Sequence, residues 1–325
     1  KGRLPMVGCS DLSGMMAMMP AFTTDDGGSI DATETISVER LEDGLNRMIA
    51  DGAGVISTCG SFGEFHTLLW EEFQTLNRAV VEIAAKRVPI FVGATALNSR
   101  EVVKRMAFAE EIGATGVLVG VPFYFPASVE NAVRFYKDIS ERFPKLAIMI
   151  YHNPTLHNVT LPVPCFAELV KCPNLVAMKD SHRDTMGFMK LQEIIKGHIS
   201  VFCNQFQFHP FYELGAAGFW SIDAWMGPEP FLALHEAVVT GDQARAKEIM
   251  FAISPVMTDR KMNLSWRETA SKIGIRYAGY CDPGPLRPPF VNVPADVEAA
   301  QKARAEKWQE LRKIYQPQVA RSAAH

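Results

Sequence analysis

The sequence predicts an α/β protein, a (β/α)8 TIM barrel with a C-terminal helical extension. Three observations lead there. Short apolar runs alternate with longer amphipathic stretches until about residue 241. Most of these runs are apolar without a break, the pattern of parallel strands covered on both faces rather than of a half-exposed sheet. The connections are short, and a series of β-then-α units joined that way favours a closed parallel barrel. An open doubly wound sheet is the main alternative. No GxGxxG follows the first run, which weakens the dinucleotide-binding version of that fold.

The elements follow in order, each set off by glycine, proline, asparagine or aspartate. MMAMMPA (15–21) is the first strand, and a helix over about 36–51 stops before Gly52. GVIST (54–58) leads to a helix over 70–87, and Pro89 opens PIFVGA (89–94). Asn98 starts a helix over 98–113, after which comes GVLVG (116–120). Pro122 and Pro126 separate that strand from a helix over 127–143. LAIMIY (146–151) runs into Asn153-Pro154, a helix covers 163–171, and Pro173 precedes LVAMK (175–179). A helix over 183–196 ends at Gly197, and ISVFCN (199–204) is followed by a helix over 207–216. GFWSI (218–222) is the last strand, and Gly227-Pro228 begins a helix over 228–240.

Beyond about residue 241 the strand pattern stops. GDQARAKEIMFAISPVM, the stretch around 262–276 and VEAAQKARAEKWQELRKIY (297–315) read as helices packed after the barrel. The expected organisation is a barrel over 13–240, a helical extension over 241–316 and a polar tail, 317–325, that frays. A chain of 325 residues, 48% of them hydrophobic, suffices for one barrel of about 250 residues plus the extension.

A net charge of −3 with no basic stripe argues against a nucleic-acid partner and against a membrane surface. Small metabolites are the expected partner class. Cys9, Cys59, Cys165, Cys172, Cys203 and Cys281 form no CxxC pair, so neither a disulfide framework nor a zinc site is expected, and a reducing cytoplasm is the expected compartment. The opening KGRLPMVGCSDLSG has no apolar h-region, and no run approaches the roughly 18 apolar residues of a membrane span. Its first residue is not Met, so a few leading residues are expected to precede it.

In such barrels reactive groups sit at the C-terminal ends of strands. Leu175-Val176-Ala177-Met178 ends in Lys179, at or above the barrel mouth, where desolvation disfavours the ammonium and favours a free amine for Schiff-base formation. The plainer reading is a lysine paired with Asp180. The fifth strand ends in Tyr151, a phenol able to shuttle protons, before His152-Asn153-Pro154. After the second strand comes Gly60-Ser61-Phe62-Gly63-Glu64, whose glycines let the Ser61 and Phe62 N–H groups converge on an anion with the Ser61 hydroxyl as third donor. Trp220, followed by Ser221, puts a large aromatic at the mouth, as a pocket wall or as core. His152 and His157 have a poor spacing for a metal, and no metal is expected.

Together these sites resemble the dihydrodipicolinate synthase and N-acetylneuraminate lyase superfamily of class I pyruvate aldolases, over roughly residues 13–290. GSFGE (60–64) is similar to that family's G-T-T-G-E carboxylate loop, and Tyr151 matches the tyrosine of its Y-N-x-P motif. Lys179 follows at the family's tyrosine-to-lysine spacing, and Gly215 to Ser221 resembles its G-x-x-G-x-x-S segment. Dihydrodipicolinate synthases place an arginine shortly after the tyrosine motif; here the stretch is Thr155-Leu156-His157-Asn158. Tyr-His-Asn-Pro instead resembles the Y-x-N-P of hydratase-aldolases that cleave benzylidenepyruvates in aromatic-hydrocarbon breakdown. GVP (120–122), ATALNSREV (94–102) and GPLRPP (284–289) also resemble that subgroup.

The resemblance implies a 2-keto acid substrate, a covalent Schiff base on Lys179 and no metal or organic cofactor. Tyr151 would be the proton shuttle and Asn153 would hold the water that adds to the alkene. Gly60, Ser61 and Phe62 would bind the carboxylate, Phe62 and Trp220 suit an aromatic ring, and Ser221 is expected to bind substrate beside them. Gln205 and Gln207, near His209, would face the ring's ortho substituent, and the lack of an acid there leans towards a 2-carboxy over a 2-hydroxy substrate. Tyr124 lies where the superfamily often places a tyrosine near a subunit boundary, and a homotetramer is implied. A sugar-acid aldolase or dihydrodipicolinate synthase-like enzyme using the same lysine, and a non-catalytic ligand-binding barrel, are the competing readings.

Overall fold

The computed structural model describes residues 7–258 and 267–317. Its centre is a closed barrel of eight parallel strands in sequential order. They are β1 (Gly14–Met18), β2 (Val55–Ser57), β3 (Ile90–Gly93), β4 (Gly116–Val119), β5 (Ala147–His152), β6 (Leu175–Asp180), β7 (Ser200–Asn204) and β8 (Gly218–Ser221). Each falls within or against one of the predicted apolar runs. All five residues of β1 and all six of β5 and of β6 are buried, as strands covered on both faces require. The ring closes where β1 meets β8, with Gly14 opposite Gly218. A Cβ on Gly218 would stand 2.0 Å from the Gly14 carbonyl oxygen, so only glycine lets the two strands approach there.

Between the strands lie α1 (Val38–Asp51), α2 (Trp70–Ala84), α3 (Ser99–Glu111), α4 (Val129–Arg142), α5 (Pro154–His157), α6 (Phe166–Leu169), α7 (Thr185–Ile195) and α8 (Phe208–Tyr212). Several start on a side-chain cap that satisfies a free helical N–H: Ser37, Asn98, Ser128 and Asp184 each accept from the backbone three residues on. The β5–β6 connection departs from the predicted single helix over 163–171. A turn of helix, α5, comes directly after β5, then a 3-10 turn (Val163–Cys165), then α6. Pro162 precedes the 3-10 turn and Pro164 lies in its first positions, where a missing N–H is tolerated. The helix predicted over 207–216 is also shorter, ending at Tyr212.

After β8 come α9 (Glu229–Val239), α10 (Gln243–Thr258), α11 (Arg267–Ala278) and α12 (Ala295–Ile314). Of the predicted helical stretch around 262–276, the part before Arg267 lies outside the described residues, as does the tail from 318 onward. α12 is tied to the barrel by Trp308, whose indole donates to the Gly227 carbonyl at 3.0 Å and whose ring lies 5.1 Å from that of Phe231. Arg304 adds a buried ion pair with Asp223, just past β8. Among the described residues no helix is long and apolar enough to cross a membrane.

Candidate active site

The strand period decides what faces the barrel mouth. Tyr151 and Lys179 are opposite each other in the β5–β6 ladder, and the next pair is His152 and Asp180. Side chains alternate along a strand, so the first pair points inward and the second outward. Lys179 is 4% exposed, and its Nζ lies 4.1 Å from the ring centres of both Tyr151 and Trp220. Asp180 does not pair with it: its carboxylate is taken by His152 and Arg183 on the outer side.

Tyr151 Oη is 3.1 Å from Ser61 Oγ, which joins the phenol to the turn after β2. In that turn the backbone N–H groups of Ser61 and Phe62 find no acceptor among the described residues. Both ends of the turn adopt the left-handed backbone conformation, Cys59 with φ 46° and Glu64 with φ 53°. Such residues are strained unless their surroundings hold them. Glu64 is held by Lys272 Nζ at 2.8 Å and by Arg287 Nη1 at 2.9 Å, all three buried. Burial alone would raise the Glu64 carboxyl, but the two cations outweigh it and keep it below the usual carboxylate range. Burial also draws the Lys272 ammonium down to about 8, against the pull of Glu64.

A cavity of about 130 Å³ opens over Lys179. Met18, Phe62, Leu156, Trp220 and Ile222 form its apolar wall, while Tyr151, Asn153, Thr155, Ser181 and Asn204 supply polar groups. Ser181 Oγ is buried and has no hydrogen-bond partner among the described residues. A more open groove of about 610 Å³ beside Arg276 and Val291 includes neither Lys179 nor Tyr151.

The structure brings Lys179, Tyr151, Asn153, Phe62 and Trp220 to this cavity, with Ser61 in contact through Tyr151 and Gly60 adjoining in the same turn. It does not bring the two glutamines or Ser221. Gln205 is buried between Asp223, to which it donates at 2.8 Å, and Ser221, whose hydroxyl donates to it at 2.6 Å. Gln207 donates to the Arg183 carbonyl, and His209 bonds Gln243. Asn204, Ser181 and Thr155 stand at the cavity instead. Of these, Asn204 had a sequence signal as the last residue of an apolar run. Lys272 had none, because it lies far along the chain on α11.

A buried amine and a phenol at adjoining strand ends of such a barrel, facing one cavity, belong to an enzyme: a class I pyruvate lyase. The chain belongs to the dihydrodipicolinate synthetase family, whose match covers residues 17–307. It is similar to the trans-O-hydroxybenzylidenepyruvate hydratase-aldolase of Pseudomonas aeruginosa, 31% identical over 94% of each chain. It is also similar to the trans-2'-carboxybenzalpyruvate hydratase-aldolase of Nocardioides sp. (strain KP7), 27% identical over 96% of this chain and 97% of the other. Among solved structures, PhdJ bound to a substrate intermediate has the same fold, with a TM-score of 0.90 at 24% identity, over 96% of this chain and 100% of that one.

Proposed function

We propose that the protein is a Schiff-base hydratase-aldolase that adds water to an ortho-substituted benzylidenepyruvate and cleaves the product to an aromatic aldehyde and pyruvate. The reading is carried by Lys179, a buried amine between two aromatic rings, with no carboxylate in ion-pair contact among the described residues. The nitrogen stands at the cavity with no ion pair to break, within reach of a ketone carbon that enters there.

Lys179 condenses with the keto group and water leaves, giving an iminium conjugated with the C3–C4 double bond. C4 becomes electrophilic. Water held by Asn153 adds there, and C3 takes up a proton. Tyr151 then accepts the proton of the new C4 hydroxyl, the C3–C4 bond breaks, and its electron pair moves to the nitrogen as an enamine. Protonation at C3 and hydrolysis release pyruvate and restore the amine. The carboxylate of the keto acid sits against the Ser61 and Phe62 amides, and the aryl ring lies against Phe62 and Trp220. The covalent lysine takes the place of a cofactor.

None of the polar residues lining the cavity is acidic, so we read the ortho group as a carboxylate in preference to a hydroxyl. We also read the enzyme as a cytoplasmic homotetramer of aromatic-hydrocarbon breakdown. The exposed Tyr124 and Phe125, ring to ring at 5.1 Å, would then be a contact surface. Borohydride reduction in the presence of pyruvate should leave one adduct, on Lys179, by mass spectrometry. Lys179→Ala should lose both the adduct and all measurable turnover of 2-carboxy- and 2-hydroxybenzylidenepyruvate. An intact protein that traps no pyruvate, or turnover surviving in the alanine variant, would overturn the reading.

A further inference from the structure

On the outer side of β5 and β6, directly behind Tyr151 and Lys179, lies a closed ring of buried polar contacts that the proposed chemistry does not use. His152 Nδ1 is 2.9 Å from Asp180 Oδ1. Asp180 Oδ2 faces Arg183 Nε at 2.7 Å, an ion pair whose angles fall outside hydrogen-bond geometry. Arg183 Nη2 donates to the Leu161 carbonyl at 2.9 Å. The Leu161 N–H closes the ring by donating to His152 Nε2 at 3.0 Å. Since Nε2 accepts that amide, the imidazole proton sits on Nδ1 and points at Asp180. Trp220, which walls the cavity, is tied to the same place, its indole donating to the Asp180 carbonyl at 3.2 Å. None of His152, Leu161, Asp180 or Arg183 lines the cavity.

The ladder beneath this ring is irregular. Pairing passes from Ile148–Leu175 to Met149–Ala177, which leaves Val176 as the extra residue of a bulge. A bulge re-aims every side chain beyond it, and a slip of one residue would exchange the two faces of the strand. Slipped by one, β6 would present Asp180 to the cavity and turn Lys179 outward. Hydrogen bonds of the ladder alone leave both pairings open, and something beyond the bulge has to choose. Buried ionic groups contribute little net stability, and selecting one register is their best-attested use.

We propose that the His152–Asp180–Arg183–Leu161 ring is a positioning device that pins β5 against β6 in the register pointing Lys179 and Tyr151 inward, and thereby sets the approach of amine to phenol. It rests on the roles given to those two residues above. His152, Asp180 and Arg183 are positioning residues and touch no reacting atom.

Asp180→Asn removes the charge that gathers the ring while keeping its shape. In the full chain it should lower kcat tenfold or more with KM within about twofold. Trapping of pyruvate by borohydride should slow but reach the same final yield on Lys179. Arg183→Met should behave alike, and Arg183→Lys, which restores the charge, should recover most of the loss. A folded Asp180→Asn protein with kcat within twofold of the parent would overturn the proposal. So would a loss shared equally by kcat and pyruvate binding, or an Arg183→Lys variant no better than Arg183→Met. Should Asp180→Asn fail to fold, the two Arg183 variants decide. A parent protein that never forms the Lys179 adduct would defeat the functional reading itself, a result distinct from any of these.

Discussion

Tyr151 and Lys179 are polar side chains in an apolar barrel, and their neighbours are fitted to that. His157 is one. It is 3% exposed, its ring stands edge-on to Tyr151 with centres 4.7 Å apart, and its Nδ1 lies 3.2 Å from the Tyr151 carbonyl oxygen. Burial pushes its imidazole down to about 4. The unfolded chain, whose histidines titrate near 6.5, therefore binds more protons than the folded one between those values. Stability from this group is complete above pH 6.5 and is lost as the pH falls towards 4, by on the order of 3 kcal/mol in all. Denaturant titrations at pH 7 and pH 4.5 should reveal it: His157→Gln should lose about 2 kcal/mol less on acidification than the parent. An equal loss in both would show that His157 is not buried neutral. Lys179 and Tyr151 were legible because each ends an apolar run, where strand parity still predicts direction. Gln205 and Gln207 were misplaced because the chain has already turned there, with Gln207 N–H bonded back to the Asn204 carbonyl at 2.8 Å, and parity no longer applies.

The turn from β2 to α2 shows what an element adds. Its composition, glycines around Ser61, was readable, but its curvature depends on contacts that the sequence does not display. Gly63 packs against the backbone of Cys59, and a Cβ there would come within 2.8 Å of Cys59 N and 3.0 Å of its Cα. Backbone cannot step aside as a flexible side chain can, so Gly63→Ala should open the turn. We expect KM for the keto acid to rise tenfold or more, an effect of about 1.4 kcal/mol, with the barrel still folded. Unchanged KM in a folded variant would show that the turn does not bind the carboxylate. The β5–β6 connection went the other way. Its prolines were visible in the sequence, but the predicted helix over 163–171 left out the separate turn of helix at Pro154–His157.

Over the whole molecule, the helices after the barrel reach back to its mouth. Lys272 on α11 and Arg287 beyond it meet Glu64 at the end of the β2–α2 turn, and Arg287 Nε also donates to Thr35 Oγ1 at 2.8 Å. Removing Glu64 leaves Lys272 and Arg287 buried with no ion-pair partner among the described residues. Glu64→Gln should cost about 3–5 kcal/mol of stability, as breaking a buried ion pair does. Adding Lys272→Met should return part of it, with a coupling of roughly 0.5–3 kcal/mol in the double-mutant cycle. Additive losses would mean that the extension does not support the turn.

The sequence by itself determined the eight strands, their parallel closure and the placing of Tyr151 and Lys179 at the C-terminal ends of the fifth and sixth apolar runs. These follow from apolar runs and punctuation, which are local properties of the chain. It also placed Arg287 within a recognisable motif, though without a partner. The tertiary structure alone decided that Glu64 lies between Lys272 and Arg287, that His152 and Asp180 are joined behind the lysine, and that Ser181 and Asn204 rather than the glutamines stand at the cavity. Each of those facts depends on segments that only closure of the barrel brings together, and no pattern along the chain encodes the distance between them.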